Sequence, residues 1–250
     1  MLRQTKINAC CVVENLESRR LFAVAIGMPA ADTLIFTGNF QNDQIQINDN
    51  GNGVVSGAVS NAAGVMVPFG PVAGIRRLQI NTGDGNDSVN VRITGHMWPG
   101  GPHEIQCNLG NGDDWYRYDA ISTPTGTVNV GFNDTPTQRV LGGKGNDNLY
   151  YLHTGEIDGK VAVTLDGGTE NDVLYTAMKC TPGSQGSFSA ASNAGTGADK
   201  VWLLVRKSNP ADPVWISAHA TSGVDADWDE LTRTPLCTDD GLFSAVTIVP

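Results

Sequence analysis

The sequence predicts an all-β chain, a right-handed parallel β-helix or β-roll-like solenoid of about six coils with a C-terminal cap. Three observations carry that expectation. A glycine-rich turn centred on an aspartate recurs along the 250 residues. Short stretches that alternate apolar and polar residues with period two stand before or after most copies, as half-buried strands do. No stretch before Arg206 sustains a helical period.

The fullest copy is Gly142-Gly143-Lys144-Gly145-Asn146-Asp147-Asn148-Leu149-Tyr150, or G-G-x-G-x-D-x-U-x with U a large apolar residue. Glycine at the first, second and fourth places supplies backbone conformations closed to residues with a Cβ and lets carbonyl oxygens gather. The aspartate adds a hard, charged oxygen, and Leu149 turns into a core. Aligned on the aspartate, residues 82–90 keep Gly83 and Gly85 before Asp87, and residues 109–117 keep Gly110 and Gly112 before Asp114. Residues 167–175 keep Gly167 and Gly168 before Asp172 but place Glu170 fourth; residues 194–202 keep Gly195 and Gly197 before Asp199. A degraded copy at residues 38–46 carries Asp43 without the middle glycines and reads as a metal-free turn. Successive aspartates are 44, 27, 33, 25 and 27 residues apart, which suits one motif per coil.

These segments resemble the calcium-binding nonapeptide of the RTX, or haemolysin-type, repeat family over roughly Thr37 to Val205. The family sets its nonapeptides in tandem, whereas here they are spaced apart. The resemblance implies calcium held in the turns by the carboxylates of Asp87, Asp114, Asp147, Asp172 and Asp199. Backbone carbonyls of Gly83, Gly85, Gly110, Gly112, Gly142, Gly143, Gly145, Gly167, Gly168, Gly195 and Gly197 would complete the shells. Oxygen ligands of this kind suit calcium. A second reading of the same residues is a dry ladder: Asn42, Asn86, Asn146 and Asn171 precede the aspartates, and stacked Asn side chains hydrogen-bond between neighbours without metal.

Taken in order, residues 1–30 read as a leader. Residues 13–23 resemble the LEPR-x-L-L module at the head of many bacterial secreted or surface proteins, with Ser18 in place of proline and Leu21-Phe22 in place of two leucines. Together with the RTX-like repeats, this implies an extracellular or cell-surface address. Met1 to Val13 is a poor match to a Sec signal peptide. Residues 31–205 form the repeat region. Strands are expected after each motif, at 44–47, 88–91, 115–118, 148–152, 173–176 and 201–205. Others are expected at 77–80, 105–109 and 161–165, with an extra one at 127–132 lengthening the longest regular interval. Residues 206–250 break the period and read as a cap over an open strand edge.

A net charge of −10 and a pI near 4.7 argue against nucleic acid and for cations as partners. An apolar share of 40% argues against disorder. No apolar run reaches membrane-spanning length. The cysteines, Cys10, Cys11, Cys107, Cys180 and Cys237, lack metal spacing; Cys107 falls on a buried strand face, and a Cys180–Cys237 bridge is left open. Residues 225–230 alternate carboxylates like an EF-hand loop but lack its glycine and final glutamate, so they read as a solvated acidic turn. His96, His103, His153 and His219 read as scattered surface residues. No catalytic motif is found. The expected function is a structural or adhesive calcium-binding protein, with extracellular polysaccharide or other surface proteins as partners. The alternative is a β-helix that binds or cleaves carbohydrate. It would use a groove with Lys160, Arg139, Tyr150 and Tyr151, or exposed aromatics Tyr116, Tyr118, Tyr150 and Tyr175.

Overall fold

The structure, a computed structural model, describes residues 24–95, 104–121, 137–157, 159–207, 211–221, 230–235 and 246–249. The expected strand at 127–132, the acidic turn at 225–230 apart from Glu230, Cys237 and residues 1–23 of the leader lie outside them. The described residues form strands and turns with no helix, and none therefore forms a helix long and apolar enough to cross a membrane.

The strands make two sheets of nine. In spatial order the first is β1 (Ala25–Ala30), β2 (Thr33–Thr37), β6 (Arg77–Asp84), β8 (Glu104–Asn111), β10 (Thr137–Lys144), β12 (Lys160–Thr169), β14 (Ser187–Thr196), β16 (Trp215–Thr221) and β18 (Val246–Val249). The second is β17 (Glu230–Pro235), β15 (Lys200–Lys207), β13 (Val173–Cys180), β11 (Asn148–Gly155), β9 (Trp115–Ile121), β7 (Ser88–Ile93), β3 (Gln44–Asp49), β4 (Val55–Ser60) and β5 (Met66–Val72). From β6 onward each strand lies in the opposite sheet from the one before it and pairs in parallel with the strand two places along.

The crossings from β6, β8, β10, β12 and β14 into the second sheet are uniform. Residues 85–87, 112–114, 145–147, 170–172 and 197–199 each link two strands, and each trio ends on the motif aspartate. The return connections vary in length, and that variation produces the irregular aspartate spacing. The return between β9 and β10, spanning residues 122–136, accounts for the interval of 33.

Two segments differ from their sequence reading. Ala25–Ala30, expected within the leader, is strand β1 and pairs antiparallel with β2. The ladder also continues past residue 205: β16 pairs in parallel with β14, β17 with β15, and β18 with β16. The proline-interrupted stretch before Trp215 and the absence of the motif glycines before Asp229 hid that continuation. At the other end β4 and β5 add an antiparallel hairpin to β3. Pro68 and Pro71 on the outermost strand remove ladder donors and blunt that edge.

Alternation decides what is inside. Counting from each motif aspartate, the second and fourth residues point inward: Val89 and Val91, Tyr116 and Tyr118, Leu149 and Tyr151, Leu174 and Thr176, Val201 and Leu203 are all buried. Cys107 is buried as expected, and Cys180 is buried too. Tyr116 and Tyr118, expected among exposed aromatics, are instead core residues, because they occupy inward places. Tyr118 stacks on Tyr151 at 5.0 Å between ring centroids with planes 2° apart. His153, expected on the surface, is buried beside Tyr151, whose hydroxyl lies 3.4 Å from its Nδ1. Burial pushes the His153 imidazole down to about 4, so it is neutral inside the protein.

Glycine is required by proximity as well as by conformation. Gly143 and Gly145 have φ of 115° and 122°. A Cβ on either would stand 2.0 Å from a carbonyl oxygen of the adjacent turn, that of Gly110 or Gly112. Gly143→Ala is therefore expected to cost at least about 2 kcal/mol, from left-handed strain plus a backbone collision that no rotamer relieves. Urea unfolding should show a lower midpoint than for Lys144→Ala in the same turn.

Candidate functional site

The sequence singled out the motif aspartates, and the structure brings them into one line. Asp43, Asp87, Asp114, Asp147, Asp172 and Asp199 are each at most 2% exposed. Each carboxylate after the first reaches back one turn and accepts the backbone N–H of the preceding motif aspartate. Asp87 Oδ1 accepts from Asp43 N at 2.7 Å and Asp114 Oδ1 from Asp87 N at 2.7 Å. Asp147 Oδ1 accepts from Asp114 N at 2.9 Å, Asp172 Oδ1 from Asp147 N at 2.8 Å, and Asp199 Oδ1 from Asp172 N at 2.7 Å. The aspartate carbonyls serve the next turn: Asn148 N donates to Asp114 O at 2.9 Å and Val173 N to Asp147 O at 2.8 Å.

A second ladder runs one residue earlier, on the exposed side, and in the opposite direction. Asn86 N donates to Asn42 Oδ1 at 3.0 Å, Asp113 N to Asn86 Oδ1 at 3.1 Å, and Asn146 N to Asp113 Oδ1 at 2.8 Å. Asn171 N then donates to Asn146 Oδ1 at 3.2 Å and Ala198 N to Asn171 Oδ1 at 2.8 Å. The Asn turn ladder anticipated from sequence is thus present, and Asp113 fills a rung within it. Asp43 belongs to the inner line although its motif had lost the middle glycines. Gly38 was the signal: it stands at the first place, close against Asp43 Oδ2, as Gly142 stands against Asp147.

The motif glycines divide into two kinds. Gly83, Gly110, Gly143, Gly168 and Gly195 at the second place, and Gly85, Gly112, Gly145 and Gly197 at the fourth, have positive φ, and each abuts a carbonyl of the adjacent turn. Gly142 and Gly167, at the first place, lie beside their own aspartate. A Cβ on Gly142 would meet Asp147 Oδ2 at 2.2 Å and Gly167 O at 2.4 Å; on Gly167 it would meet Asp172 Oδ2 at 2.3 Å and Ala194 O at 2.4 Å. Glu170 takes the fourth place with φ of 77°, and its carboxylate compensates by accepting the Gly145 N–H at 2.8 Å.

The other carboxylate oxygen, Oδ2 of Asp87, Asp114, Asp147 and Asp172, is buried and receives no hydrogen bond. Buried carboxylate oxygens without donors carry a desolvation cost. Burial accordingly pushes the carboxyls up, to about 6 at Asp87, about 7 at Asp114 and Asp147, and about 8 at Asp172. The charges of neighbouring carboxylates add to the rise, Asp147 and Asp199 at Asp172 for example.

These oxygens meet part of calcium's requirement. At Gly142 and Gly167 a carboxylate Oδ2 and a backbone carbonyl oxygen of the next turn both lie too near the glycine to admit a Cβ, and both are hard ligands of the type calcium takes. Among the described residues no three His, Cys, Asp or Glu side chains group as a metal-holding cluster. A cation here would therefore rest on one carboxylate per turn together with backbone oxygens.

The alternative groove does not assemble. Arg139 and Lys160 are exposed on strands of the first sheet, Tyr150 is half-buried on the outer side of the second, and Tyr151 is inside. Comparison with protein-family models, curated proteins and solved structures gave no match.

A raised carboxyl pKa has a definite sign for stability. The unfolded chain ionises near 3.8, while the folded chain holds protons on Asp87, Asp114, Asp147 and Asp172 up to about 6–8. That contribution is fully present below 3.8 and is lost as pH rises through 6–8. His153, held near 4, acts oppositely, removing stability as pH falls below 6.5, but it is one group against several. Chelator-treated protein is expected to melt at a lower temperature at pH 8 than at pH 5.5, by circular dichroism. Asp172→Asn should flatten the difference.

Proposed function

We propose that this chain is a right-handed parallel β-solenoid of about six repeat coils, secreted or held at a cell surface, whose aspartate turns take up calcium in a structural or adhesive role. The observation that carries the reading is the line of buried carboxylate oxygens without a donor at Asp87, Asp114, Asp147 and Asp172. The net charge of −10 and the RTX-like motif support it. Asp199 is the last buried aspartate of the series.

Bound calcium would supply positive charge where the carboxylates are desolvated. The chain's own residues do the rest. Each Oδ1 stays tied to the amide of the preceding turn, which fixes the carboxylate plane and leaves Oδ2 for a cation. The glycines keep adjacent turns close enough to share carbonyl oxygens. Because such oxygens come together only in the folded chain, binding would be linked to folding, and calcium-poor conditions would favour the unfolded form. No catalytic role is assigned.

The deciding experiment is a calcium titration of chelator-stripped protein at pH 7.5, read as β-sheet circular dichroism and melting temperature. At hundredfold excess over Kd one site contributes about 2.7 kcal/mol, roughly 5–10 °C for a chain of this size. Asp147→Ala should blunt the response. Asp147→Asn, which can keep the rung to Asp114 N, should also blunt it while leaving the metal-free melt at or above wild type. An unchanged melt with calcium would leave the turns as a proton-holding, metal-free ladder, the reading that the Asn rungs at Asn86, Asn146 and Asn171 favour.

A further inference from the structure

The third residue after each aspartate points outward on the second sheet, and parallel register stacks these positions. Tyr150 pairs with Tyr175, and Tyr175 with Trp202. Their ring centroids are 5.9 and 6.4 Å apart with planes tilted by 39° and 53°, and Trp115 extends the row from Tyr150 at 6.4 Å. All four rings are partly exposed. The result is a strip of aromatic surface running across the strands, one ring per strand.

The charge carried by the outward positions of these strands opposes that of the whole chain. The outward positions of β7, β9, β13 and β15 carry Arg92, Arg117, Lys179, Lys200 and Arg206 against Asp119, in a protein of net charge −10. Asp119 is already engaged, 2.7 Å from Arg117 Nε. Beyond the strip, Glu230 holds the register position next to Lys200. Lys179, Lys200 and Arg206 are exposed. Mutual packing of the rings accounts for their stacking, but it gives no reason for basic residues to gather beside them.

We infer that this outer face docks a linear acidic polysaccharide. Its sugar rings lie across Tyr150, Tyr175 and Trp202, and its carboxylates meet Lys200, Lys179 and Arg206. Aromatic faces carry partial negative charge and attract the C–H faces of sugar rings as they attract other positive edges. Exposed Lys and Arg supply charge-assisted hydrogen bonds to carboxylates. A polymer laid along the strip meets one ring per strand spacing, so contacts add along its length. Single-stranded nucleic acid fits the strip less well. A base inserted between two rings needs about twice the base-stacking distance of roughly 3.4 Å, and these tilted rings sit closer than that. The inference stands apart from the calcium reading, since none of its residues is a turn aspartate.

The test is affinity electrophoresis through gels containing hyaluronan, dextran or single-stranded oligothymidylate, in a calcium-containing buffer where circular dichroism shows the protein folded. Hyaluronan is the probe because it presents uronates on a linear chain. Retardation by hyaluronan but not by neutral dextran is expected, weakened by added salt and accompanied by a change in tryptophan emission. Lys200→Glu with Arg206→Glu, both on exposed side chains, should weaken it about tenfold or more, and Tyr175→Ala should weaken it too. The charge-reversal pair decides the matter if the tyrosine variant folds poorly. No retardation by hyaluronan, equal retardation by dextran, stronger retention by oligothymidylate, or indifference to the charge reversals would overturn the inference.

Discussion

A buried carboxylate that reaches back to the amide of the preceding turn is the interaction on which the rest of the structure depends. In a parallel ladder the turn is where backbone pairing would otherwise lapse, and an unpaired buried N–H costs about as much as a lost hydrogen bond. Asp87, Asp114, Asp147, Asp172 and Asp199 supply the missing acceptors. The geometry tolerates little variation, because the carboxylate spans one strand spacing only when the turns are superimposed. Hence the five crossings between β6 and β15 are of equal length, while the returns, which carry no such rung, differ.

That solution has an electrostatic cost that makes the turns chemically interesting. Each carboxylate uses one oxygen for the rung and buries the other, so a column of negative charge accumulates away from water. A proton relieves it, and so does a cation. On the proposed reading a cation takes the proton's place, and pH and metal concentration would set the balance between the two. The exposed Asn ladder is neutral except at Asp113, which explains how adjacent turns stay superimposed whichever way the inner column is neutralised.

The two sides of the second sheet show how one motif serves different ends. Places two and four after the aspartate face inward and hold the packing, including the Tyr118 and Tyr151 stack. Place three faces outward, free of packing demands, and there Tyr150, Tyr175 and Trp202 form a surface strip. The same strand period that buries Tyr116 therefore presents Tyr150. A shift of one residue in register would exchange core and surface.

The sequence by itself determined the all-β class, a strand after each motif and one before three of them, the burial of Cys107, and which aspartates recur. These are local matters: turn glycines and period-two alternation act within a few residues. It also contained the inward place of Tyr116 and Tyr118 and the outward row of Tyr150, Tyr175 and Trp202, legible by counting from the aspartate. Only the tertiary structure decided the pairing of residues 25–44 positions apart: which amide each carboxylate accepts, that Asp43 joins the line, and that β16 to β18 continue it. It also decided that His153 is enclosed. Rungs between turns join residues distant in the chain, and their partners depend on the lengths of return connections whose sequences carry no period of their own.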